Sequence, residues 1–178
     1  MNMNMKASLL FDFTVDKANN TVNVRRAFTA PLREVWASWT DSQLLDQWWA
    51  PRPWRTETKV FQFEEGGLWL YAMVGPEGER HWCRSDYRGI EPQKSFSAYD
   101  AFCDEGGTVN PDSPRALWTV HFLPEGEHTV VTIRIEYKTS AELEQIIGMG
   151  FEEGFTMSLG NLDALVTGTS HSVNHPGT

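Results

Sequence analysis

Apolar residues alternate with polar or smaller ones at Leu9, Phe11, Phe13 and Val15, pause over Asp16 to Asn20, and alternate again at Val22, Val24 and Phe28. A period of two marks strands with one buried face, so a strand pair joined by a turn is expected. The period then lengthens. After Pro31, suited to a first helical turn, Leu32, Val35, Trp36 and Trp39 follow at helical spacing. Asp41 can cap a second short helix with the apolar face Leu45, Trp48 and Trp49, which Pro51 and Pro53 stop.

From Arg55 to Lys138 strand-like runs are punctuated at Glu65-Gly66-Gly67, Gly75-Pro76-Glu77-Gly78, Glu91-Pro92, Glu105-Gly106-Gly107 and Pro124-Glu125-Gly126. Breaks at strand-length intervals predict a meander of about six strands. Trp69, Tyr71 and Met73 share one strand face, as do Trp118, Val120 and Phe122, and Val131, Ile133 and Ile135. The last element reads as one helix of about 27 residues, roughly 40 Å long, from near Ala141 to near Thr167. Thr139 and Glu142 form a capping box at its start, and Ile147, Phe151, Phe155, Leu159, Leu162 and Val166 make one apolar stripe. Such a stripe must be buried against the sheet, which predicts an α+β fold: a curved antiparallel sheet wrapped around a long C-terminal helix, with two short helices between early strands. One domain over 8–167 is expected, with flexible tails at 1–7 and 168–178.

Composition changes this picture in two ways. Eight tryptophans and ten phenylalanines make the core aromatic, and 24 acidic against 15 basic residues give a net charge of −9. That charge repels phosphate backbones and anionic lipid, so neither nucleic acid nor a membrane surface is expected as a partner. Cys83 and Cys103 are too few for a disulfide framework and read as free thiols. With no apolar leader or span before Leu9, a cytoplasmic protein is expected.

A family resemblance rests on particular residues. Phe28, Ala30, Pro31, Val35 and Trp36 lead to Trp39-Thr40-Asp41 and then to Leu45, Trp48, Trp49 and Pro51. Gly66-Gly67 with Trp69, Tyr71 and Met73 follows, then Tyr87, Ile90 and Pro92, and finally Met149-Gly150-Phe151 with Gly154, Phe155, Leu159 and Leu162. In this order the chain resembles the bacterial single-domain proteins similar to the C-terminal domain of the heat shock protein 90 ATPase activator, within the START-like, or SRPBCC, superfamily. The resemblance implies a helix-grip fold with a cavity between sheet and helix. For activity it implies several possibilities: hydrophobic-ligand carriage, chaperone activation with a link to stress response, or polyketide cyclisation.

The aromatic set carries the leading expectation, non-enzymatic binding of a small hydrophobic or aromatic molecule, since small-molecule pockets are lined by apolar and aromatic side chains with a few placed polar groups. Its candidate residues are Trp36, Trp69, Tyr71, Met73, His81, Tyr87, Trp118, Phe122, Phe151 and Phe155. Polar hooks are expected among His81, Arg84, Asp86 and Tyr87, on one strand. Trp48, Trp49 and Trp54 are the candidates for a partner surface, with a chaperone as partner, and Trp54 is expected to be the most exposed. A polyketide cyclase or aromatase is the enzymatic alternative, which needs no local motif.

No catalytic residue is assigned, because no nucleophile elbow, phosphate loop or metal motif is present. The run Gly148, Gly150, Gly154 has the wrong spacing and setting for a dinucleotide fingerprint. His121 with His128, and His171 with His175, come without a third ligand, so neither a metal nor any other cofactor is expected. The oligomeric state is left between monomer and homodimer.

Overall fold

The computed structural model describes residues 10–167. Strands β1 (Phe11–Asp16) and β2 (Thr21–Phe28) form the expected opening pair, with Phe13 opposite Val24 and Val15 opposite Val22. Helix α1 (Leu32–Thr40) begins after Pro31, which stands at its N-cap rather than inside its first turn. Helix α2 (Ser42–Trp48) is capped as expected: the Asp41 carboxylate accepts the Gln43 N–H at 2.9 Å.

Six strands follow: β3 (Arg55–Phe61), β4 (Leu68–Val74), β5 (Arg80–Glu91), β6 (Ser95–Cys103), β7 (Leu117–Glu125) and β8 (His128–Glu136). They join the first pair in one antiparallel eight-stranded sheet ordered β1-β2-β8-β7-β6-β5-β4-β3. The crossover from β2 to the far edge is made by α1 and α2, so the two short helices end up over the face that the apolar positions share. Val22, Val24, Val131, Ile133, Ile135, Val120 and Phe122 are all buried there, as period-two patterning requires.

The C-terminal helix differs from the expectation. It is two helices, α3 (Ser140–Gly148) and α4 (Phe151–Val166), broken at Met149-Gly150. Gly150 adopts φ +88°, the left-handed conformation open to glycine but costly for residues with a Cβ. The Met149 and Gly150 N–H groups fold back onto the carbonyls of Gln145 and Ile147 at 3.1 and 3.0 Å, closing α3, while Gly154 N–H donates to the Gly150 carbonyl at 3.0 Å to open α4. Helical periodicity ran across the break because α4 resumes with Phe151 facing inward. The capping box is half formed: Thr139 Oγ1 accepts the Glu142 N–H at 3.1 Å, but Glu142 Oε1 is buried without a partner.

Helix α4 lies over the sheet and the short helices. Leu159 and Leu162 are fully buried, and Arg26 of β2 stands 4.0 Å from Asp163. Its polar side chains also cap the end of α2. Ser158 Oγ donates to the Trp49 carbonyl at 2.8 Å, and Asn161 Nδ2 donates to the carbonyls of Trp48 and Ala50 at 3.4 and 3.2 Å. These bonds satisfy carbonyls that a helix terminus leaves without intrahelical partners.

The two glycine environments give opposite expectations. Gly150→Ala should lower stability by about 1–2 kcal/mol, since alanine pays for the left-handed conformation. Gly160→Ala, inside α4 with nothing within 4 Å of the added methyl, should raise stability by roughly 0.5–1 kcal/mol. Urea denaturation of both variants measures this, and the reverse order would contradict the left-handed break.

Candidate functional site

Residues directly opposite on antiparallel strands share a sheet face. On β4 to β7 this rule lays down rows across the concave face: Trp69 opposite Ser85 opposite Asp100, Tyr71 opposite Cys83 opposite Phe102, and Tyr87 opposite Ala98 opposite Trp118. These rows form the floor of a cavity of about 410 Å³ roofed by Trp49, Ile146, Phe151 and Phe155. That volume lies within the ~300–1,000 Å³ of ordinary small-molecule sites. Exposed His81 and Met149 stand at its rim.

The walls are held by their own polar atoms. Trp49 Nε1 donates to Tyr71 Oη at 2.9 Å, and Tyr71 stacks on Trp69 with ring centres 4.0 Å apart. Trp69 Nε1 donates to Thr58 Oγ1 at 3.0 Å, and Thr58 in turn donates to Asp46 at 2.6 Å. Trp118 Nε1 donates to Asp100 Oδ2 at 2.7 Å, with Phe155 edge-on at 5.5 Å. An indole fixed both by ring contacts and by its N–H has little rotamer freedom left to lose when something binds against its face.

Among the described residues Asp100 is the one carboxylate in the wall. Its Oδ1 accepts the Ala116 N–H at 2.8 Å and its Oδ2 the Trp118 indole. Burial pushes its carboxyl up to about 6, against these hydrogen bonds and the more distant charge of Arg115, which all favour the ionised form. Burial likewise raises the Cys83 thiol to about 12, where Tyr71 pulls it down and Asp100 adds to the rise. Tyr71, Tyr87 and Tyr137 are all raised by burial, so their phenols stay neutral. A thiol held that high is no nucleophile at neutral pH.

Most of the sequence-proposed ligand residues come together here: Trp69, Tyr71, Met73, His81, Tyr87, Trp118, Phe151 and Phe155 all line the cavity. Trp36 and Phe122 do not. They pack against each other at 5.0 Å with Phe63 and Phe96, in an aromatic cluster beside the cavity. The partner-surface set is also placed differently. Trp48 is buried and donates to the Ser38 carbonyl at 2.9 Å, Trp49 belongs to the cavity wall, and Trp54 is half-buried against His81 at 5.3 Å.

Of the expected hooks, Arg84 and Asp86 fall on the opposite sheet face. There Arg84 and Arg115 both bond Asp86, at 2.6 and 2.7 Å. The period of two decides this, since only odd-numbered positions from His81 to Tyr87 point inward. His81 and Tyr87 do face inward, and Ser85 and Asp100, which also face inward, were missed. Asp100 had a signal: it alternates with Phe96, Ala98 and Phe102, an acidic residue on an otherwise apolar face.

Among the described residues no cluster of three His, Cys, Asp or Glu is placed to hold a metal, and no helix is long and apolar enough to cross a membrane. His171 and His175 lie outside the described residues.

The family model described as activator of Hsp90 ATPase homolog 1-like protein matches residues 29–167. Among solved structures, protein Ms6760 from Mycobacterium smegmatis is 28% identical over 88% of this chain and 96% of its own, with a TM-score of 0.81. A protein from Arthrobacter aurescens is 26% identical over 88% and 91%, with a TM-score of 0.83. CalU16 from Micromonospora echinospora shares the fold alone, at 18% identity over 94% and 90% and a TM-score of 0.56. No curated protein matches the chain.

The Asp100 environment is directly measurable. In a ¹H–¹⁵N titration the Trp118 indole N–H resonance should shift with a midpoint near pH 6, following the carboxyl it donates to. A midpoint at the ordinary carboxylate value, near 4, would show that the group is not enclosed.

Proposed function

The chain belongs to the family of activator of Hsp90 ATPase homolog 1-like proteins, and from that premise we propose that it binds a small hydrophobic or aromatic molecule, without transforming it, between the sheet rows of β4–β7 and helices α3 and α4. The observation that carries this is the open volume of about 410 Å³ bounded by Trp49, Trp69 and Trp118, whose N–H groups are already bonded to Tyr71, Thr58 and Asp100. These three indoles offer aromatic faces with their donors already engaged, which suits a largely apolar ligand, while Trp39 Nε1, also in the wall, is buried without a partner.

Binding is favoured over catalysis by the state of the reactive groups. Cys83 is held as a neutral thiol and the three tyrosines as neutral phenols, while Asp100 is engaged by Trp118 and Ala116 rather than by a nucleophile. A chaperone contact through Trp48 and Trp49 has no support from their placement, since the first is buried and the second walls the cavity.

The test uses the neutral probe N-phenyl-1-naphthylamine. Titration should quench the tryptophan fluorescence saturably, and native mass spectrometry should show one bound probe per chain. Ala98→Leu, which adds three carbons to the cavity floor between Tyr87 and Trp118, should weaken binding at least about tenfold. Leu123→Ala, at an exposed position on β7, should leave it unchanged. Linear, unsaturable quenching, or equal affinity in Ala98→Leu, would overturn the proposal.

A further inference from the structure

We propose that this cavity selects ligands bearing a protonated amine, with Asp100 as the counter-ion, and discriminates against carboxylates of the same shape. The inference rests on the binding function above and narrows the class of ligand.

Asp100 reaches the cavity from β6, on the face that also carries Phe96 and Ala98. Its two oxygens accept one bond each, from Ala116 N–H and Trp118 Nε1, and both donors are neutral. A carboxylate oxygen can accept more than one hydrogen bond, so each keeps an acceptor site for a further donor. Among the described residues no lysine or arginine lines the cavity. The guanidinium that does act on Asp100, that of Arg115, is bonded at 2.7 Å to Asp86 on the other face of the sheet. An enclosed carboxylate is therefore left without an ion-pair partner, a costly arrangement in a cavity of low polarity.

The charge is felt across the site. Tyr71 on β4, Cys83 on β5 and Tyr137 after β8 are each made harder to deprotonate by Asp100, over and above the larger effect of their burial. The same field opposes a bound anion, and among the described residues no lysine or arginine in the wall offsets it. A cation meets the opposite situation: Asp100 supplies the charge, and the faces of Trp49, Trp69 and Trp118 supply the electron-rich surface that cations favour. An aromatic or polycyclic body with one ammonium group matches both halves of this wall.

Isothermal titration calorimetry on the full chain, with 1-naphthylmethylamine, 1-naphthalenemethanol and 1-naphthoate as probes of one ring system, tests the inference. The amine should bind at least about tenfold more tightly than the alcohol, and the carboxylate more weakly than either. Asp100→Asn should bring the amine to the level of the alcohol while the affinity for the alcohol stays within about threefold. Asparagine offers only one acceptor atom to the two N–H donors, so near-UV circular dichroism checks that the variant is folded. Should it not fold, the ranking of the three probes on the natural chain decides. If alcohol and amine bind equally, or the carboxylate binds best, the inference fails and the binding function stands. If none of the three binds, both fail.

Discussion

Eight strands at about 4.8 Å spacing make a sheet roughly 34 Å across, whereas α4, sixteen residues long, is about 24 Å in length and about 10 Å wide. One helix cannot cover such a face. The remainder has to be covered by α1 and α2, which the β2-to-β3 crossover brings over the sheet, by α3 set off at an angle at Gly150, and by side chains large enough to bridge what is left. The aromatic composition follows from that geometry. Trp49, Trp118, Phe151 and Phe155 span distances that leucine and valine would not: Phe155 meets Trp49 and Trp118 edge to face at 6.1 and 5.5 Å, Phe151 meets Trp118 edge to face at 6.2 Å, and Phe151 stacks on Phe155 at 5.3 Å.

What keeps the space from collapsing is the set of hydrogen bonds that fix the rings. Turning Trp49 inward would break its bond to Tyr71, and turning Trp118 would strip Asp100 of one of its two donors. A buried polar group that loses its partner costs about 1–3 kcal/mol, more if charged. Turning either of these indoles into the cavity thus carries a polar penalty, which holds that part of the wall in shape. Asp100 gains a double role from this. It anchors a wall residue and, under the proposed binding function, is the charge that a ligand would meet.

Much of the fold was legible because it rests on periodicity. Alternation at Val22 and Val24, at Trp69 and Tyr71 and at Ile133 and Ile135 identified strands and their buried faces, and Asp41 identified a helix start. The break between α3 and α4 was hidden because Ile147, Phe151 and Phe155 keep helical spacing across it, and a left-handed glycine looks in sequence like a helical one. Family membership, read from motifs spread over Phe28 to Leu162, agrees with the matched span of residues 29–167. The site was legible in part. Strand parity placed the β4 residues, yet it was not applied to β5, where it would have removed Arg84 and Asp86, nor to β6, where it would have brought in Asp100. Among the tryptophans, sequence spacing alone could not separate Trp48, buried against Ser38, from its neighbour in the cavity wall.

The sheet and its helices enclose a cavity whose walls are held by anchored rings. A high-resolution crystal structure of the protein, purified without denaturant, tests it most directly. The Trp49–Tyr71 and Trp118–Asp100 bonds should be intact, with solvent or ligand density in the space between Trp118 and Phe155. Rings rotated inward, with those bonds broken and no void larger than a single water of about 30 Å³, would contradict it.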